Sequence, residues 1–468
     1  MEAAAIAQVD QSLTVAPEDY SLLTDLYELT MMAAYLGEGL DQRQASFELT
    51  VRHLPENFGY LIAMGLAQAL EYLQQLHFTS EQIAQLQATG IFAKVPEQFW
   101  SQLAETRFTG DVWAVPEGTA VFANEPLLRV EAPLWQAQLL ETYLLNTLNY
   151  QTLIATRAAR LRDVAGPQAT LLEFGTRRAF SPQASLWAAR AALAAGLDAT
   201  SNVLAALKLG RRPSGTMAHA FVMALAAAAG SEMQAFSAFQ HYFPQATLLI
   251  DTYDTVAAAQ NLAKKVQTGE IQVGGVRIDS GDLVGLSEKV RALLPDVPIL
   301  VSGDIDEWQI QHLKAAGACI DGYGIGTRLV TGEAINGVYK LVEVGGIPVA
   351  KTSQGKQTYP GRKQIFRAWE GSQLSSDRLG LVEELPQTEQ PVLQLVMHQG
   401  QPLQPPETLA IIAEHTRDSV ASLPAAARRL EQPTPVPVEI SVALQELALH
   451  SSPLQQPEER RLDTQRSA

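Results

Sequence analysis

Cysteine is almost absent: Cys319 is the only one in 468 residues. That excludes an internal disulfide and a zinc site built on several thiolates. Positive charge is scarce too, with 34 Lys and Arg against 50 Asp and Glu and a formal net charge of -16. A general nucleic-acid binder needs a basic surface, so no nucleic-acid partner is expected, whereas a small anionic substrate needs only a local basic pocket. No apolar run approaches the roughly 18 residues that span a bilayer. The first twenty residues carry Glu2 and no basic n-region, so they do not read as a secretory signal. A soluble, cytoplasmic protein with no membrane partner is the expectation. The HExxH, GxSxG and Walker A spacings are all missing. What remains is an ordinary globular composition, 47% hydrophobic and 18% charged, long enough for two or three domains.

The local pattern divides the chain. A helix is predicted over 21–36, with Thr24 or Asp25 as cap, then a strand over 44–54, a helix over 60–76 and two short helices within 80–103. Residues 110–133 read as a small antiparallel sheet, and 134–164 as a long helix whose Arg157, Arg160 and Arg162 suit its negative end as surface charge. From 170 the pattern is regular. Strands at 170–174, 197–200, 247–250, 276–278, 299–301 and 320–325 alternate with helices at 182–195, 203–209, 256–265, 283–294 and 308–316. Such alternation means parallel strands with crossover helices. Polar clusters fall at the C-terminal end of strand after strand, which favours a barrel over a doubly wound sheet with one switch point. After 331 come hairpin strands at 338–344, 347–352 and 364–367, a helix at about 418–430, a proline-rich strap at 433–437 and a tail, from 451, expected to be disordered.

Several strand ends carry groups that can do chemistry. The stretch RRPSGTMAHAFVMAL over 211–225 starts a helix, with Ser214 or Thr216 as the expected cap and His219 in the first turn. A helix N-terminus keeps a histidine neutral and welcomes phosphate, although a lone histidine there also reads as a packing residue. Ser302–Asp304 and the GYGIGT run of 322–327 are two glycine-rich strand ends late in the barrel. That is where barrels hold phosphate, and tight turns are the alternative reading. Arg277 and Asp279 lie two apart and face one side of a strand, with Asp282 nearby. They suit an anion and a ribose, or an ion pair that closes the barrel mouth. Phe174, Arg177 and Arg178 could meet a planar ring and an anion, or pack and solvate. The basic stretch over 351–363, with Lys351, Lys356, Arg362 and Lys363, could lean over a phosphate site or be a solvated turn.

The ordered set LLTDLYELTMMAAY, FELTVRHLPENFGYLIAMGL, EFGTRRAFSPQAS, SGTMAHAFV, LLIDTYDT, GVRIDSGDL, VSGDIDE, GYGIGTRLVT and KTSQGKQTYPGRKQ resembles the nicotinate phosphoribosyltransferases, from about Tyr20 to about Leu449. The resemblance implies a type II phosphoribosyltransferase fold: an incomplete α/β barrel, plus an α+β domain built from N-terminal and C-terminal segments. The corresponding limits are 20–165, 166–331 and 332–450, with 451–468 as tail. It implies a homodimer with shared active sites that makes nicotinate mononucleotide from nicotinate and phosphoribosyl pyrophosphate in NAD salvage. That synthesis is coupled to ATP, a ligase chemistry with Mg²⁺ and a phosphohistidine. By the same resemblance His219 is the phosphorylated histidine, Asp279 lies near the ribose, and Tyr27, from the partner subunit, and Thr216 contact nicotinate. Phe174 lies under the pyridine, Arg177 near pyrophosphate or carboxylate, Arg277 on the substrate pocket, and Gly303, Gly326 and Thr327 form the 5′-phosphate cradle. Amide-using relatives carry an aspartate in the base pocket, and the SGTMAHA turn has no acid. Two other classes stay open: a decarboxylating quinolinate phosphoribosyltransferase that needs no ATP, and a non-catalytic sensor of sugar phosphates.

Overall fold

The computed structural model describes residues 13–351 and 358–451. Residues 1–12 of the leader, Lys356 and residues 452–468 of the expected disordered tail lie outside the described residues.

Six parallel strands form one open sheet in the order Ala199–Thr200, Thr170–Glu173, Gly322–Ile325, Ile299–Val301, Gly275–Ile278, Thr247–Leu249. The first and last of these stay unpaired with each other, so the barrel is incomplete, as the fold class predicts. Leu171, Leu248, Val276, Ile278, Ile299 and Val301 are fully buried between the sheet and its helices. The chain marks each crossover with a capping side chain. Ser181, Asn202, Asp254, Asp282 and Asp306 each accept the backbone N–H three positions on, in the first turn of the following helix. Asp282 is therefore a cap and not part of the polar cluster expected around Arg277.

A seven-stranded sheet joins the two chain ends. It interleaves Gln44–Val51, Pro126–Pro133 and Asp111–Ala114 with Gly337–Val344, Ile347–Pro348, Gln394–His398 and Gln401–Pro402. Lys363–Glu370 and Gln373–Leu381 form a second, four-stranded sheet with Gln390–Pro391 and Val438–Ile440.

Several expectations are corrected. The helix expected over 60–76 begins only at Leu66, because Gly65 sits at φ 104 and Leu61–Ile62 pairs with Ala120–Val121. The first helix starts at Leu26, and the Asp25 carboxylate accepts from the Thr142 hydroxyl at 2.8 Å instead of capping. The last long helix begins at Leu409, well ahead of the expected 418, and ends at Ser422, just before Pro424. Arg160 is no surface charge: it is 2% exposed, with Nε 2.9 Å from Glu307. Arg162 bonds Asp198 and three backbone carbonyls, and Arg157 donates to the Thr331 carbonyl. Two residues of the basic stretch over 351–363 are likewise spent internally. Lys363 is buried against Glu48 at 2.8 Å, and Arg362 pairs with Glu131, Glu343 and Glu383.

One buried acid makes a testable pH device. Glu28 is fully buried, and Gln138 Nε2 donates to its Oε2 at 2.7 Å. Burial pushes its pKa up to about 7, with the Glu141 and Asp25 charges adding to the rise. A raised carboxyl pKa means that the folded chain holds a proton the unfolded chain has lost. The stability it carries is complete below the unfolded value and is lost as pH rises through about 7. Glu28→Gln is expected to flatten the fall of Tm between pH 5 and pH 8, which corresponds to about 3 kcal/mol. Parallel Tm-versus-pH curves for the two proteins would contradict it.

Candidate active site

The C-terminal ends of the parallel strands surround a cavity of about 780 Å³ lined by Phe174, Arg177, Thr216, His219, Arg277 and Asp279 among others. Six residues read from sequence are thus brought to one place. At its centre is Arg277, on the Gly275–Ile278 strand. Its Nε donates to Ser302 Oγ at 2.7 Å, one Nη to Thr216 Oγ1 at 2.8 Å and the other to Asp279 Oδ1 at 2.6 Å. The guanidinium carbon lies 5.5 Å from the Phe174 ring centre. Burial pushes the Asp279 pKa up, but bonds from Ser302 and Arg277, with the Arg277 and His219 charges, outweigh it and hold the carboxyl below its usual range.

Phe174 is fixed from behind. Glu173, fully buried, accepts from the Gly175 N–H and the Thr200 hydroxyl, and Phe174 N donates to Ile325 O at 2.7 Å. A Cβ on Gly324 would lie 2.5 Å from the Phe174 ring, so the ring needs a glycine on the neighbouring strand. The sequence reading picked Gly326 and missed Gly324.

His219 opens the helix His219–Ala229, whose N-cap is Ala218 with no side-chain cap. Neither Ser214 nor Thr216 caps it. The Ser214 N–H extends the sheet edge to Thr200 O at 2.9 Å, and the Thr216 hydroxyl donates to Met217 O while accepting from Arg277. The five strand-following helices named above are closed by side chains; this one presents a bare N-terminus to the cavity. The His219 ring has two unlike sides. Nδ1 is 3.1 Å from Thr252 Oγ1, and Nε2 is 4.0 Å from both Asp251 Oδ1 and Asp279 Oδ2. Asp251 Oδ2 accepts from Asp279 N and Ser280 Oγ, while the buried Oδ1 has no hydrogen bond among the described residues. Asp251, Thr252 and Ser302 were not singled out from sequence as partners of His219 and Arg277. The signal for the first two was the strand-end position of DTYD, the same signal that marked Arg277 and Asp279.

The remaining predicted residues lie elsewhere. Gly303, Gly326 and Thr327 sit at neighbouring strand ends but do not line the cavity. Gly303 has φ 95, and a Cβ there would lie 2.2 Å from Asp279 O, so its glycine is required by backbone packing. Tyr27 lines a different cavity, of about 450 Å³, with Phe180 and Thr142.

Family models fit the chain in three consecutive pieces. Residues 22–149 match the nicotinate phosphoribosyltransferase N-terminal domain, 169–368 the nicotinate phosphoribosyltransferase family and 379–448 the C-terminal domain. A nicotinate phosphoribosyltransferase of Mycobacterium tuberculosis is 41% identical over 424 residues, covering 88% of this chain and 89% of that one. The chain belongs to the nicotinate phosphoribosyltransferase family. The Bacillus subtilis nicotinate phosphoribosyltransferase is 41% identical over 367 residues, covering 75% of this chain and 73% of its own. The crystal structure of human nicotinic acid phosphoribosyltransferase superposes with a TM-score of 0.79 at 31% identity, covering 91% and 99% of the two chains. A nicotinate-nucleotide pyrophosphorylase from Pyrococcus furiosus shares the fold, with a TM-score of 0.72 at 23% identity over 88% and 99%. Nicotinate phosphoribosyltransferase membership thus extends over nearly all the described residues.

Proposed function

We propose that this enzyme joins nicotinate to phosphoribosyl pyrophosphate, giving nicotinate mononucleotide and pyrophosphate in NAD salvage, and that His219 couples the synthesis to ATP. The observation that carries the reading is Arg277, held by three partners beside Phe174 with two N–H groups still unused. A cation beside an aromatic ring suits a pyridine carboxylate. The pyridine nitrogen displaces pyrophosphate at the anomeric carbon. Positive charge builds on the sugar and negative charge on the leaving group. The ionised Asp279 stands on the sugar side, and Arg177, which makes no ion pair among the described residues, faces the anions.

The two carboxylates on the Nε2 side of His219 favour the proton there, which leaves the Nδ1 lone pair, beside Thr252, as the nucleophile. It attacks the γ-phosphorus of ATP and ADP departs. The bare helix end stabilises the added phosphate, and water later hydrolyses it. Among the described residues no cluster of three or more acidic, histidine or cysteine ligands could hold a metal. Mg²⁺ would be carried on substrate phosphates, with one of these carboxylates as an outer partner. It would neutralise phosphate charge.

We also propose that a second copy supplies Tyr27. That ring is 45% exposed beside exposed Leu23 and Leu26, and Val203, which lines the catalytic cavity, is 58% exposed. Mixed Tyr27→Ala and His219→Ala proteins should recover ATP-stimulated activity that neither has alone; no recovery would place Tyr27 outside the site.

Parallel assays with nicotinate, nicotinamide and quinolinate test the substrate. Turnover of nicotinate alone is expected. Release of CO₂ from quinolinate, or equal use of the amide, would overturn the reading. Binding of phosphoribosyl pyrophosphate with no turnover of any of the three would instead make the chain a sensor.

A further inference from the structure

We infer that Ser302 is a positioning residue that splits the work of Asp279 and aims Arg277 at the base, an inference that rests on the function proposed above. Ser302 follows the Ile299–Val301 strand, is 4% exposed, and its N–H donates to Ile278 O at 3.1 Å. Its place in the SGD strand end suggested a phosphate contact. The hydroxyl turns inward instead, accepting from Arg277 Nε at 2.7 Å and donating to Asp279 Oδ1. Both directions are determined by chemistry. Arginine only donates, so the single hydroxyl proton goes to the carboxylate.

This has two consequences. Arg277 has five N–H groups, and Ser302, Thr216 and Asp279 take one from each of its three nitrogens. The two left are one on each terminal nitrogen, a pair matched to a planar carboxylate. Without the Ser302 acceptor the Nε side is untethered, and nothing but Thr216 and Asp279 sets the plane. Meanwhile Asp279 Oδ1 is saturated by Ser302 and Arg277, which leaves Oδ2 as the oxygen that faces His219 Nε2 at 4.0 Å. Ser302 thereby links the base-binding group to the histidine's carboxylate. The groups facing Asp279 are Arg277, His219 and Asp251, the last through the Asp279 backbone N–H.

The test compares Ser302→Ala, which removes the hydroxyl, with Ser302→Thr, which keeps it. For Ser302→Ala the KM for nicotinate is expected to rise about tenfold, the worth of one charge-assisted hydrogen bond, with a smaller change in kcat. The preference for nicotinate over nicotinamide should fall, since the neutral amide offers one acceptor oxygen where the carboxylate offers two charged ones. The acid limb of the rate profile should move to higher pH, because Asp279 loses a donor to its charged form. Ser302→Thr should retain most of the wild-type values. If Ser302→Ala does not fold, Ser302→Cys, a poorer hydrogen-bonding group of similar shape, should show the same changes. An unchanged nicotinate KM and pH profile in the hydroxyl-free variants would overturn the inference.

A second readout is independent of turnover. NMR titration of His219 in ligand-free protein should show the inflection caused by Asp279 moving to higher pH in Ser302→Ala and not in Ser302→Thr. If the wild-type protein fails to use nicotinate, the function proposed above fails, and this titration still decides the role of Ser302. No movement of the inflection would then rule that role out.

Discussion

A His219→Ala variant is expected to incorporate no phosphate from γ-labelled ATP and to form nicotinate mononucleotide only at the rate seen without ATP. The wild-type label should be acid-labile and base-stable, as a phosphorylated ring nitrogen requires. The expectation follows from three facts about one side chain. His219 starts a helix whose N-terminus no side chain closes. Its Nε2 faces two carboxylates, each at 4.0 Å, which favour a proton on that nitrogen. Its Nδ1 lies 3.1 Å from Thr252 Oγ1. The pyridine and sugar contacts proposed for Phe174, Arg277 and Asp279 do not involve His219, so an ATP-independent rate should survive in the variant. Undiminished labelling in His219→Ala would move the phosphorylated residue elsewhere. Complete loss of the ATP-independent rate as well would mean that His219 also binds the phosphoribosyl substrate.

The largest expected effect on stability lies away from the site, at the joint between the long Glu141–Ala165 helix and the barrel. Glu307→Ala leaves Arg160 buried and unpaired. Arg160 Nε bonds Glu307 at 2.9 Å, Nη1 bonds Asn57 O at 2.9 Å, and the guanidinium lies 4.5 Å from the Phe58 ring centre. Both charges are at most 5% exposed, so water cannot replace the lost partner. Breaking a buried pair on one side costs about 3–5 kcal/mol, a Tm loss on the order of 10 °C. Replacing both, as Arg160→Met with Glu307→Leu, should recover much of that loss, because the desolvation penalty disappears with the charges. The exposed pair Glu414–Arg417 is the control, and Glu414→Ala should leave Tm unchanged. A Glu307→Ala protein with wild-type Tm would show that Arg160 finds another partner.

The barrel was legible because its signals are local. Apolar strands, polar strand ends and capping residues such as Asp254 and Asp306 recur within each unit of sequence, and the structure places the units in one parallel sheet. Arg277 and Asp279 were legible for the same reason: a spacing of two puts both on one side of a strand. What was missed depends on neighbours far along the chain. Arg160 looks like a surface charge at a helix end until Glu307, 147 residues later, is beside it. Lys363 looks like part of a basic loop until Glu48 on a distant strand takes it. Gln373–Leu381 is too polar to read as a half-buried strand, and its pairing with Lys363–Glu370 and Val438–Ile440 is what makes it one. In the site, Ser214 and Thr216 carried a sound local capping signal that tertiary contacts with Thr200 and Arg277 overrode. That override is what leaves the helix end at His219 open.

The most direct test of the central claim is the formation of nicotinate mononucleotide by the full chain from nicotinate, phosphoribosyl pyrophosphate and Mg²⁺, measured with and without ATP. The account predicts mononucleotide in both cases, faster or at lower substrate concentration with ATP, and ADP released as it forms. No mononucleotide under either condition, or a rate and substrate dependence that ATP leaves unchanged with no ADP formed, would contradict it.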